Sequence, residues 1–134
     1  MIGFVFIVAI GALVFALINF YGVKKKEAGT EEMQQIASAI QEGAKAFLVL
    51  EYSVIVKVAI LIAILLGVVV SIPSALAFIL GATMSSAAGW IGMNIATISN
   101  VRVSNEARLT KSLGRTLRVA FRGGSVMGLC VGGF

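Results

Sequence analysis

Apolar and polar stretches alternate along this chain, and their lengths sort it into membrane spans and surface segments. Ile2 to Tyr21 is an almost unbroken apolar run. At 1.5 Å per residue, about twenty residues cross a hydrocarbon layer of roughly 30 Å, so this run predicts a first span. It has no basic leader and no small-residue cleavage site, which argues against a removed signal peptide. Asn19 and Tyr21 close the run, and Lys24-Lys25-Lys26 follows as a stop-transfer anchor beside lipid headgroups. Gly29-Thr30 then breaks the chain. Thr30 can cap a new helix, with Glu31 and Glu32 in its first turn. Met33, Ile36, Ala37, Ile40, Ala44 and Phe47 recur at helical spacing, with Gln34, Gln35, Ser38, Gln41, Glu42 and Lys45 opposite. This amphipathic segment runs without interruption into Val54 to Val70. Lys57 to Ser71 alone is too short to cross, so the second span is expected over about 50–70, with Glu51 and Lys57 near the membrane edge.

After the uncharged turn Ser71-Ile72-Pro73-Ser74 comes the stretch around which the chain is organised. Pro73 suits the first turn of a helix, and no charge follows until Arg102. The third span is expected over about 73–99. Gly81, Ser85, Ala88, Gly89, Gly92 and Ala96 recur at steps of three or four, which predicts a groove of thinly covered backbone where another helix can seat. Beyond it, Arg102, Arg108, Lys111, Arg115, Arg118 and Arg122 face a single acid, Glu106. Gly114 is expected to divide this basic segment in two. Arg115, Arg118 and Arg122 would share one helix face, beside lipid phosphates or in the path of an anionic substrate. From Gly123, Gly124, Gly128 and Gly132 at steps of four predict another small-residue helix. Residues 123–134 are too few to cross, so a fourth span is expected to start here and to continue in a longer protein.

Composition agrees with the pattern. Of 134 residues, 59% are hydrophobic and 13% charged, with a mean hydropathy of +1.02; soluble domains carry about a quarter charged residues. The fold expected is an all-α polytopic transmembrane bundle, residues 1–134 forming one partial transmembrane domain. The net charge of +5 arises in segment 100–122, segment 22–49 holding four Lys against four Glu, and the Ser71–Ser74 turn carries no charge. By the positive-inside rule both basic segments are cytoplasmic and the N-terminus is outside. The charge thus reads as topology, and no nucleic-acid partner is expected.

Candidate chemistry is sparse. The sequence holds no His and no Asp, which removes imidazole relays, His metal sites and Ser–His–Asp arrangements. Cys130 is a lone cysteine in an apolar run and reads as packing. Glu51, near an interface, reads as structural pairing or snorkelling ahead of ion transport. No Gly-Lys-Ser/Thr follows a glycine-rich turn, so there is no P-loop. No catalytic, cofactor-binding or metal-binding residue is assigned.

Four stretches nevertheless carry a resemblance. Met33-Gln-Gln-Ile-Ala-Ser-Ala-Ile-Gln-Glu-Gly-Ala-Lys-Ala-Phe-Leu48, Gly81-Ala-Thr-Met-Ser-Ser-Ala-Ala-Gly-Trp-Ile-Gly-Met93, Asn100-Val-Arg102 and Ala120-Phe-Arg-Gly-Gly-Ser-Val-Met-Gly-Leu129 occur here in order. Together they resemble the N-terminal part of the membrane-integral pyrophosphatases, from about Gly29 onward. The resemblance implies a pyrophosphate-energised pump of H⁺ or Na⁺ in a prokaryotic inner membrane, commonly a homodimer. These first helices would lie in its outer ring. It also implies Mg²⁺, and K⁺ in one branch, with pyrophosphate held by Asp-rich motifs on later helices; no such motif is found here. The Gly-Gly-Ser-Val-Met-Gly stretch leans toward the K⁺-stimulated, sodium-pumping branch. A stand-alone oligomeric transporter subunit or assembly protein is the alternative reading, and a ring subunit using a mid-span carboxylate is a third.

Overall fold

A computed structural model describes residues 2–133, all in or between four helices: α1 (Ile2–Lys24), α2 (Glu31–Val69), α3 (Ile72–Thr110) and α4 (Leu113–Gly133). The expected end of the fourth apolar segment, Phe134, lies outside the described residues. α1, α2 and α3 are each long and apolar enough to cross a membrane. At 39 residues, α2 and α3 reach about 58 Å, well beyond a bilayer. Their polar halves therefore project past the apolar layer as one continuous rod.

The helix starts follow local capping chemistry. Thr30 is the N-cap of α2, its hydroxyl accepting from the Met33 N–H. Ser71 caps α3 in the same way through the Ser74 N–H, with Pro73 in the first turn. The interruption of the basic segment lies elsewhere than expected. Gly114 is helical, and the break falls at Lys111, which takes a left-handed backbone (φ 48°) while its N–H reaches the Ala107 carbonyl. The Ser112 carbonyl then accepts from the Thr116 N–H, so Ser112 opens α4 and Gly114 falls in its first turn. A serine start outweighs a nearby glycine stop. Arg115, Arg118 and Arg122 are consequently part of the same helix as the terminal glycines.

α3 is the central column. It packs against α2 and α4, and more briefly against α1, while α1 otherwise packs on α4; α1 and α2 do not meet. The helices therefore form a row, α2–α3–α4–α1, with antiparallel neighbours. The buried cluster, Ala16, Val23, Ala88, Ile95, Val126 and Cys130, lies where α1, α3 and α4 converge. Cys130 is buried there as a packing residue. Most large apolar side chains outside this cluster are exposed, Phe4, Ile7, Leu50 and Leu61 among them. Such a surface suits lipid or further helices in place of water.

Candidate functional site

Two features could carry function: a polar clasp at the basic end of the bundle and an open face along α3. The clasp begins with the end of α1. Its last carbonyls have no helical partner, and Arg102, reaching across from α3, supplies donors for them. The guanidinium donates from Nε to the Lys26 carbonyl (3.0 Å), from Nη2 to the Lys24 carbonyl (3.5 Å) and from Nη1 to its own helix at Ile98 (2.9 Å). Burial lowers the pKa of Arg102 from its ordinary value, yet an arginine stays cationic at neutral pH. One turn further, the side-chain amide of Asn105, 2% exposed, donates to the Glu27 carbonyl at 3.3 Å. Arg108 fixes that amide by donating twice to its Oδ1. Lys26 pairs with Glu106 at 3.0 Å. Gly29 completes the turn with φ +88°, where a Cβ would meet Asn105 Oδ1 at 3.2 Å. The end of α1 and the loop after it are thus pinned to α3 at the carbonyls of Lys24, Lys26 and Glu27.

The sequence marked Arg102 as one cation of a basic segment and did not mark Asn105. Their partners are backbone carbonyls on a distant loop, which leave no trace in residue type. The spacing Arg102, Asn105, Glu106 along one helix face was the available signal.

The small-residue stripe of α3 divides. Ala88 and Gly92 are buried toward α4, where a Cβ on Gly92 would lie 2.7 Å from Met127. Gly89 faces α2: a Cβ there would stand 3.0 Å from the Tyr52 hydroxyl, which donates to the Ser86 carbonyl at 2.6 Å. Gly81, Ser85 and Ala96 remain exposed. On α4 the expected glycine stripe is not the contact face within these four helices. Gly124, Gly128 and Gly132 have open space where a Cβ would stand. Gly123, packed on Ser99, and Gly133, packed on Leu13 and the Ala9 carbonyl, are the close approaches. The α1–α4 seam is completed by Asn19, which donates to Ser125 Oγ at 3.0 Å.

Between α2 and α3 the open face forms a cavity of about 560 Å³, lined among others by Glu51, Tyr52, Ser85, Ser86, Gly89 and Ala96. Glu51 is exposed there. The opposite side of α3 is bulkier, with Leu76, Leu80 and Trp90 exposed. Among the described residues, no three His, Cys, Asp or Glu side chains converge. Arg115, Arg118 and Arg122 are exposed on α4, as are Lys24 at the end of α1 and Lys25 just past it.

Comparison with known proteins places this architecture. Residues 10–134 match the family described as inorganic H⁺ pyrophosphatase. A K⁺-stimulated pyrophosphate-energised sodium pump of Thermotoga maritima is 52% identical over 96% of the chain, which covers 18% of that protein. A putative pump of the same description from Clostridium tetani is 43% identical over 88% of the chain, covering 17% of the relative. A K⁺-insensitive proton pump of Moorella thermoacetica is 46% identical over 90% of the chain, again covering 17%. The chain therefore spans under a fifth of the length of these relatives.

Proposed function

Because the chain belongs to the inorganic H⁺ pyrophosphatase family, we propose that it is the N-terminal scaffold portion of a pyrophosphate-energised ion pump. The whole protein would couple pyrophosphate hydrolysis to H⁺ or Na⁺ transport. The supporting observation is the extent of the match: pumps of both kinds align along nearly the whole of this chain, and the chain is a small share of each. Its long apolar helices make it an integral membrane protein. In this reading the membrane is a prokaryotic inner membrane, the N-terminus lies outside and the clasp is cytoplasmic. Residues 1–134 form one partial transmembrane domain, and the complete protein is a homodimer.

The chain's part in the work is mechanical. α3 is a column whose cytoplasmic half is tied to α1 by Arg102 and Asn105 and whose membrane half holds α2 and α4 at close range. Pyrophosphate is highly anionic, and its hydrolysis needs bound Mg²⁺. The carboxylates here do not converge for that, so Mg²⁺, and K⁺ where required, would bind on other parts of the protein. The test is the full-length protein in sealed vesicles with Mg²⁺ and pyrophosphate. Phosphate release accompanied by H⁺ or Na⁺ uptake is expected. Hydrolysis without ion uptake, or neither, refutes the assignment.

A further inference from the structure

We propose that the adjoining basic ends of α1 and α4 bind the phosphate of an anionic phospholipid headgroup. The inference needs only that these helices lie in a bilayer; it does not rest on the pumping reaction. Arg115, Arg118 and Arg122 sit at steps of three and four, on one face of α4. That face is turned toward α1: Arg122 Nη1 lies 4.0 Å from where a Cβ on Gly22 would stand, and Asn19 bonds Ser125 one turn further into the membrane. α1 runs antiparallel beside it and ends at Lys24, with Lys25 next in the chain, both exposed. Among the described residues the one ion pair is Lys26 with Glu106, so none of these five cations has an acid within salt-bridge distance.

A purely structural use for the arginines would be to offset the negative end of the α1 dipole. Arg102 already supplies the donors to the carbonyls of Lys24 and Lys26, which leaves the α4 arginines without that task. The neighbouring surface also selects a lipid over a free anion. Leu117 and Phe121, the latter 73% exposed, lie beside Arg118 and Arg122, and Tyr21 is exposed on α1. Apolar and aromatic groups flanking a cationic cluster match a headgroup above and acyl chains below. Planar guanidinium groups bind phosphate oxygens through paired hydrogen bonds, an arrangement that a lysine cannot copy.

The test uses the full-length protein in nanodiscs of phosphatidylcholine with a minor share of phosphatidylglycerol, counting retained lipid by native mass spectrometry. Each basic residue near an anionic surface strengthens binding by roughly fivefold, so Arg115→Gln/Arg118→Gln/Arg122→Gln should cut phosphatidylglycerol retention by about tenfold or more. Lys57→Gln, an exposed cation on α2, should leave it unchanged. Millimolar inorganic phosphate or pyrophosphate should not displace the lipid. Equal retention by the triple variant and the wild type overturns the proposal, as does displacement by either free anion. Should the triple variant fail to fold, Leu117→Trp in an otherwise unaltered cluster provides a second reading. Its added fluorescence should be quenched more strongly by brominated phosphatidylglycerol than by brominated phosphatidylcholine, and equal quenching overturns the site.

Discussion

At Gly89 one absent methyl group determines how closely two helices meet. The Tyr52 hydroxyl reaches the Ser86 carbonyl only by passing over the bare Gly89 Cα, since a Cβ there would stand 3.0 Å from the oxygen. Tyr52→Phe removes a hydrogen bond worth about 1 kcal/mol net. Gly89→Ala forces the hydroxyl aside and should cost about 1–2 kcal/mol despite alanine's better helix propensity. In the double variant the clash disappears with the hydroxyl. Thermal unfolding of the full-length protein should therefore show the pair losing less than the sum of the single losses, and simple additivity would refute the contact. Arg102 gives a second test at this scale. Its three carbonyl acceptors are spread over two chain segments, which an ammonium group cannot span. Arg102→Lys should thus expose the 25–30 loop to protease nearly as much as Arg102→Ala does, and full protection in the lysine variant would show that charge alone suffices.

Among the elements, helix starts were legible in the sequence because capping is local. Thr30 announces α2 through its hydroxyl and the acids just after it, and Pro73 marks the first turn of α3, which Ser71 caps. The end of α3 was not legible. A lysine in left-handed conformation is unfavourable by itself, and it is held at Lys111 by the Ala107 carbonyl before it and the Ser112 start after it. Periodicity also located the small-residue faces without saying which neighbour each would meet. That is why Gly123, off the expected stripe, turns out to be the close contact with Ser99, while Gly128 has none within these four helices. Orientation in the membrane rests on charge, since the Ser71–Ser74 turn has none and the clasp end carries the cations. In a Cys130→Ala background, a membrane-impermeant thiol reagent applied to intact cells should label Ile72→Cys, at a 70% exposed position. It should spare Lys25→Cys until the membrane is opened. The opposite pattern would invert the topology.

For the whole molecule, the row of helices has two unlike sides, and that asymmetry suggests where later sequence would sit. On one side of α3, Gly81, Ser85 and Ala96 leave backbone thinly covered beside a cavity of about 560 Å³. On the other, Leu76, Leu80 and Trp90 present bulk suited to lipid and its interface. Helices approach closely where residues are small, so in the proposed pump the remaining helices should seat on the first side. The chain expressed alone should release no phosphate from pyrophosphate with Mg²⁺, because among the described residues no three acidic or other metal-ligating side chains converge to hold the ion beside the substrate. Co-expressed with the rest of the protein as a separate chain, it should restore hydrolysis. Ser85→Trp would place an indole where a neighbouring backbone is expected and should abolish that reconstitution. Leu80→Trp, on the bulky side, should permit it. Reconstitution by both variants would mean that the small-residue face meets lipid and that the interface lies elsewhere. Phosphate release by the lone chain above a protein-free blank would move the chemistry into these four helices.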